Sequence, residues 1–87
     1  MGNPFRKTAD INAPYAVFTN PQGWEWRVLR TYKGRAGEDK DAYARWFVAA
    51  RSPLTYGDWE LGDTYKQEVL RYGRLQACTP EWAEVYK

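Results

Sequence analysis

Histidine is absent from this chain of 87 residues, and cysteine occurs once. The first absence removes the commonest general base near neutral pH, the Ser–His and Cys–His nucleophile pairs, and most zinc sites. A single cysteine cannot form an internal disulfide, which fits a reducing cytosol. With no histidine to activate it, Cys78 reads as a small buried residue rather than a nucleophile. No apolar run approaches the ~20 residues that span a bilayer. The opening residues Met1–Lys7 lack an apolar signal region, which argues against secretion. A cytoplasmic chain without membrane attachment is therefore expected. Charge of one sign is scarce too: thirteen Lys+Arg against eleven Asp+Glu leave +2. That is too mild for the basic footprint that duplex DNA selects.

What the chain has is aromatic mass: five Trp, seven Tyr and three Phe. A chain of this length sits near the lower end of what folds without metals or disulfides. Its core is thin, so large rings must supply most of the burial. Residues 1–13 are polar and aperiodic and read as a flexible arm; residues 14–87 read as one small α+β domain.

The most informative stretch is Trp24–Tyr32. Trp24, Trp26, Val28 and Tyr32 alternate with Glu25, Arg27, Leu29, Thr31 and Lys33, the period of a half-buried strand. Arg30 is the misfit on the apolar side. Upstream, Tyr15–Thr19 is a short strand, and Asn20-Pro21-Gln22-Gly23 has the chemistry of a tight hairpin turn. Closing that loop on an Asn20–Trp24 pair sets Phe18 opposite Trp26 and Ala16 opposite Val28. Turn chemistry and apolar pattern agree, which strengthens the hairpin.

Residues 34–41 read as a polar loop. Residues 42–51 fit two patterns: a helix aligning Tyr43, Trp46, Phe47 and Ala50, or a strand with Ala44, Trp46, Val48 and Ala50 on one side. The strand is preferred, because Trp-Phe-Val favours it and a third strand covers the exposed edge of the second. Leu54–Gly62 reads as a turn-rich connection, after which Asp63 caps a helix carrying Tyr65, Val69 and Tyr72. Gly73 lies past its end. Arg74–Cys78 offers a short edge strand. Thr79-Pro80-Glu81 opens a last helix that docks through Trp82, with Val85 as a second contact. The expected fold is thus a small antiparallel β-meander of about three strands, with a fourth if Arg74–Cys78 pairs, and one or two short C-terminal helices. Trp26 and Trp46 are expected to dominate its core.

Asp58, Glu60 and Asp63 form the densest acidic cluster, but their spacing matches no calcium loop and each has a turn or capping use. Gly34-Arg35-Ala36-Gly37 matches a GXXG nucleic-acid clamp, yet it follows a strand and precedes Glu38 and Asp39, so a hairpin loop is the plainer reading. No metal site and no cofactor are expected. The more informative constellation is the meander's second face, where alternation gathers Arg27, Leu29, Tyr43, Arg45, Phe47 and Arg51, with Tyr15 and Val17 beside them. Such a face suits a protein-binding surface, rich in Tyr and Arg. It also suits a single-stranded nucleic acid, whose bases stack on rings. Alternatively the C-terminal helices cover it and the arginines pair with Glu25 or Glu68.

The strings Trp-Glu-Trp-Arg-Val-Leu (24–29), Tyr-Ala-Arg-Trp-Phe (43–47), Ser-Pro-Leu-Thr-Tyr-Gly (52–57) and Leu-Gly-Asp-Thr-Tyr (61–65) together resemble small proteins encoded by tailed phages of actinobacteria. The resemblance carries no assigned activity, cofactor or catalytic residue. It implies a setting, the cytoplasm of an infected bacterium. The expected function is a non-enzymatic module that engages a host or phage protein, with single-stranded nucleic-acid binding as the alternative and a metal-binding or enzymatic protein third.

Overall fold

The computed structural model describes residues 10–32, 43–54 and 57–86. They form an α+β fold of β1 (Ala16–Thr19), β2 (Glu25–Thr31), β3 (Arg45–Arg51), β4 (Glu60–Tyr65), α1 (Lys66–Tyr72), β5 (Arg74–Cys78) and α2 (Pro80–Tyr86). All neighbouring strands pair antiparallel in the order β4-β3-β2-β1-β5. The sheet therefore has five strands, where the sequence suggests three or four. The GXXG string and Lys33 lie outside the described residues.

The hairpin forms as its turn chemistry requires. The Asn20 carboxamide oxygen accepts from the backbone N–H groups of Gln22 and Trp24, and Gly23 adopts φ +93°, a conformation costly for other residues. The register sets Ala16 opposite Val28 and Phe18 opposite Trp26. Residues 45–51 are a strand, with Trp46 and Val48 buried on the expected side.

The β2–β3 pairing then departs from simple alternation. Val28 pairs with Val48 and Arg30 with Phe47, which leaves Leu29 as an extra residue in a bulge. One extra residue exchanges the two faces for everything beyond it. Thr31, expected on the outer face, lies opposite Trp46 and is buried. Its hydroxyl finds no hydrogen-bond partner among the described residues.

β4 corrects a second expectation. Asp63 is a mid-strand residue opposite Phe47, not a helix cap. Asp is poor in strands in general, but at an exposed edge its carboxylate stays solvated. Helix α1 starts only after Tyr65, with no side-chain cap, and the Lys66 N–H donates to the Ala44 carbonyl. The helix is too short to persist alone. It is held by Val69, fully buried against the sheet. Gly73 ends it without a left-handed turn, at φ −102°. A Cβ there would stand 2.9 Å from both the Phe18 Cβ and the Val69 carbonyl oxygen, so close approach to the sheet is what requires glycine.

The core lies between the sheet and both helices: Ala16, Phe18, Val28, Trp46, Val48, Val69 and Trp82. Trp46 and Trp82 are 0% and 1% exposed, with ring centroids 5.0 Å apart and edge-on. Tyr86 packs on both rings. Val85 is exposed, so α2 docks through Trp82 and Tyr86. Trp26 is only half-buried, stacked on the exposed Trp24. Trp82, not Trp26, is thus the second anchor. The sequence pattern could not rank them, because Trp26 sits where neither helix fully covers the sheet.

Two stability predictions follow from this packing. Trp82→Ala should cost ~3–5 kcal/mol in denaturant unfolding, and Trp26→Ala clearly less; the reverse order would show that the core is misplaced. Thr31→Val keeps the shape and removes a buried hydroxyl that has no partner among the described residues, whose burial costs ~1–3 kcal/mol. The variant should unfold at higher denaturant than the parent, and a lower midpoint would mean that the hydroxyl has a partner.

Candidate functional site

The helices cover the face of Trp46, so the opposite face is the one left for contact. It divides into a closed half and an open half.

The closed half is built around Glu25. Its carboxylate accepts from the Arg27 Nε at 2.8 Å and pairs with the Arg51 guanidinium at 3.3 Å. Register explains the second contact, since Glu25 and Arg51 are cross-strand partners. The Arg27 Nη1 also donates to the Ile11 carbonyl at 2.6 Å. Trp59, just before β4, lies against both guanidinium groups, with its ring centroid 4.7 Å from Arg27 and 4.5 Å from Arg51. Leu29 and Ala49 are buried in the middle of this face. Of the expected binding residues, then, Leu29 is buried, and Arg27 and Arg51 are engaged in a structural cluster. The Glu25 pairing is one of the two pairings that the sequence suggests. Phe47 is half-buried beside them. Tyr15 leaves this face altogether: it stacks on Trp82, with Arg30 donating to its hydroxyl.

The open half lies at the other end of β3 and β4. Tyr43 is 75% exposed and meets the Tyr65 ring edge-on at 6.3 Å. Arg45 lies over Tyr65, 5.1 Å from its centroid, and donates to its hydroxyl at 3.2 Å. That hydrogen bond, with the nearby Asp63, favours the charged guanidinium still further. The bulge at Leu29 delivers Tyr32 here, next to Asp63 and Arg45, rather than to the tryptophan side. At the end of α1, Tyr72 is exposed with Arg71 over its ring at 5.4 Å. Tyr43, Tyr65, Gln67, Glu68, Arg71 and Tyr72 line one open hollow of about 210 Å³. The structure therefore brings Tyr43 and Arg45 together and joins to them Tyr32, Tyr65, Arg71 and Tyr72. Sequence periodicity misses these four, because it runs a helix through Tyr65 and does not register the bulge.

The acidic cluster does not converge. Glu60 and Asp63 project to opposite faces of β4, and among the described residues no three acidic or thiol groups gather as metal ligands. Comparison with known protein families, curated proteins and solved structures gives no match.

The Tyr32–Asp63 contact can be tested by titration. A hydrogen bond to Asp63, then burial, then the charge of Asp63 raise the Tyr32 hydroxyl above its ordinary value of 10.0, against a smaller lowering by Arg45. Because the folded value is the higher one, the contact stabilises the fold fully below the unfolded value and is lost as pH rises through the folded value. Phenolate absorbance should show a late-titrating tyrosine that vanishes in Tyr32→Phe. A variant that loses an ordinarily titrating tyrosine and keeps the late one would place Tyr32 away from Asp63.

Proposed function

We propose that this chain is a non-enzymatic protein-interaction module, and that its binding surface is the Tyr/Arg end of the outer sheet face together with the adjoining side of α1. The observation that carries this reading is the exposure of Tyr32, Tyr43, Tyr65 and Tyr72 around Arg45 and Arg71. Tyrosine offers a large, stiff, amphipathic contact at low entropic cost, and Tyr and Arg are the residues most enriched where binding energy concentrates. Asp63 and Glu68 stand among the cations, so the patch is of mixed sign. That suits a protein surface better than a phosphate backbone, which rewards uncompensated positive charge. The proposed partner is a host or phage protein met in the cytoplasm of an infected bacterium, a setting supported by the resemblance of residues 24–29, 43–47, 52–57 and 61–65 to actinobacterial phage proteins.

The test is the double variant Tyr43→Ala, Arg45→Ala. Both side chains are exposed, so Tm should stay close to the parent's. Capture of the proteins retained by the parent from host lysate should be lost, whereas Val85→Ser on α2 should retain them. Capture by the folded double variant would remove the site from this end. Steeply salt-dependent binding of a single-stranded oligonucleotide, lost in the double variant, would replace the reading with nucleic-acid recognition.

A further inference from the structure

Among the described residues β4 is an edge strand: β3 occupies one side of it and no described strand pairs with the other. An edge is a template on which a further strand can form backbone hydrogen bonds. Leu61, Asp63 and Tyr65 are exposed along it, with Gly62 between them. A Cβ built at Gly62 meets nothing within 4 Å, and its backbone is not among the left-handed glycines. Neither space nor conformation within one copy demands glycine at this point. On the helix side, Trp26, Val48 and Ala50 border an open hollow of about 170 Å³ that Gly62 leaves uncovered.

We propose that this edge pairs with β4 of a second copy, antiparallel, about a two-fold axis passing through Gly62. In that register β4 meets itself without opposing like charges. Glu60 stands opposite Thr64, Leu61 opposite Asp63, and Gly62 opposite Gly62. One residue beyond the strand, Trp59 falls opposite Tyr65, which closes each end with an aromatic pair. Placing the axis at Asp63 would oppose two carboxylates. Placing it at Leu61 would set Asp63 against Trp59 and lose the aromatic pairs. Asp63 also has its carboxylate bonded to Tyr32, with Arg45 nearby, so it is poorly placed to repel an incoming strand. At the axis the two glycines bring the two hollows together, and the apolar Val48 and Ala50 of each copy lie beside them. Tyr65 stands at the end of the paired segment, and Tyr43 and Tyr72 lie outside it. Such a pair therefore presents two Tyr/Arg surfaces, one flanking each end of the seam.

The experiment reads register directly. In a Cys78→Ala background, Gly62→Cys and Thr64→Cys are oxidised mildly. Opposed residues in an antiparallel pair have Cα atoms ~4.5–5.5 Å apart, within the disulfide range of ~4.4–6.8 Å. The two copies of position 64 would be four residues out of register, ~13 Å apart. Cross-linking at 62 and not at 64 is expected, together with a concentration-dependent doubling of the parent's mass in sedimentation. Gly62→Lys, which opposes two cations across the axis, should fold like the parent and sediment as a monomer. A parent that stays monomeric at its highest attainable concentration overturns the proposal. So does linkage at 64 without linkage at 62, or a dimer that survives Gly62→Lys.

Discussion

The extra residue at Leu29 is the constraint from which the outer face takes its form. Without it, alternation would carry Tyr32 to the tryptophan side and Thr31 to the outer side. With it, Tyr32 reaches Asp63 and Arg45, and Thr31 is driven against Trp46. The bulge therefore leaves a buried hydroxyl without a partner among the described residues and in exchange supplies a tyrosine at the proposed binding end. Bulges often re-aim side chains next to working sites, and this one links the core to the surface through a single position. Trp46 and Trp82 absorb the consequence, since their mutual packing under α2 anchors the strand against which Thr31 is pressed.

The two halves of the outer face behave differently although both contain arginine and aromatic residues. At one end Glu25 accepts from Arg27 and Arg51 while Trp59 lies against both cations. Those guanidinium groups have charge partners and a ring contact already, and they tie the chain before β4 to β2 and β3. At the other end the rings of Tyr43, Tyr65 and Tyr72 remain exposed, and Arg45 and Arg71 lie over rings near the surface. Composition alone does not distinguish these ends. Partnering does.

The hairpin was legible because two independent signals coincide in it: the Asn20–Gly23 turn chemistry and the alternation that pairs Phe18 with Trp26. The third strand was legible from Trp46 and Val48, whose alternation survives in the structure, and Thr79-Pro80-Glu81 marked the last helix. β4 was not, because Gly62 and Asp63 are poor strand formers that an exposed edge tolerates. The split of the outer face was hidden for a related reason. Alternation reports which side a residue takes only until a bulge intervenes, and it says nothing of Trp59, which reaches the face from a connection. Tyr43 and Arg45 were legible as surface residues; Tyr32, Tyr65, Arg71 and Tyr72 became neighbours through the bulge and through α1.

The central claim is that the open Tyr/Arg end is where a partner binds. Residue-level surface labelling of tyrosine and tryptophan, compared between the free chain and the chain holding a captured partner, addresses it most directly. In the free chain Tyr43 and Tyr72 should label readily and Trp82 should not. In the complex Tyr43 and Tyr72 should become protected while Trp24, at the hairpin end, stays as reactive as before. Protection of Trp24 with Tyr43 unchanged would contradict the account.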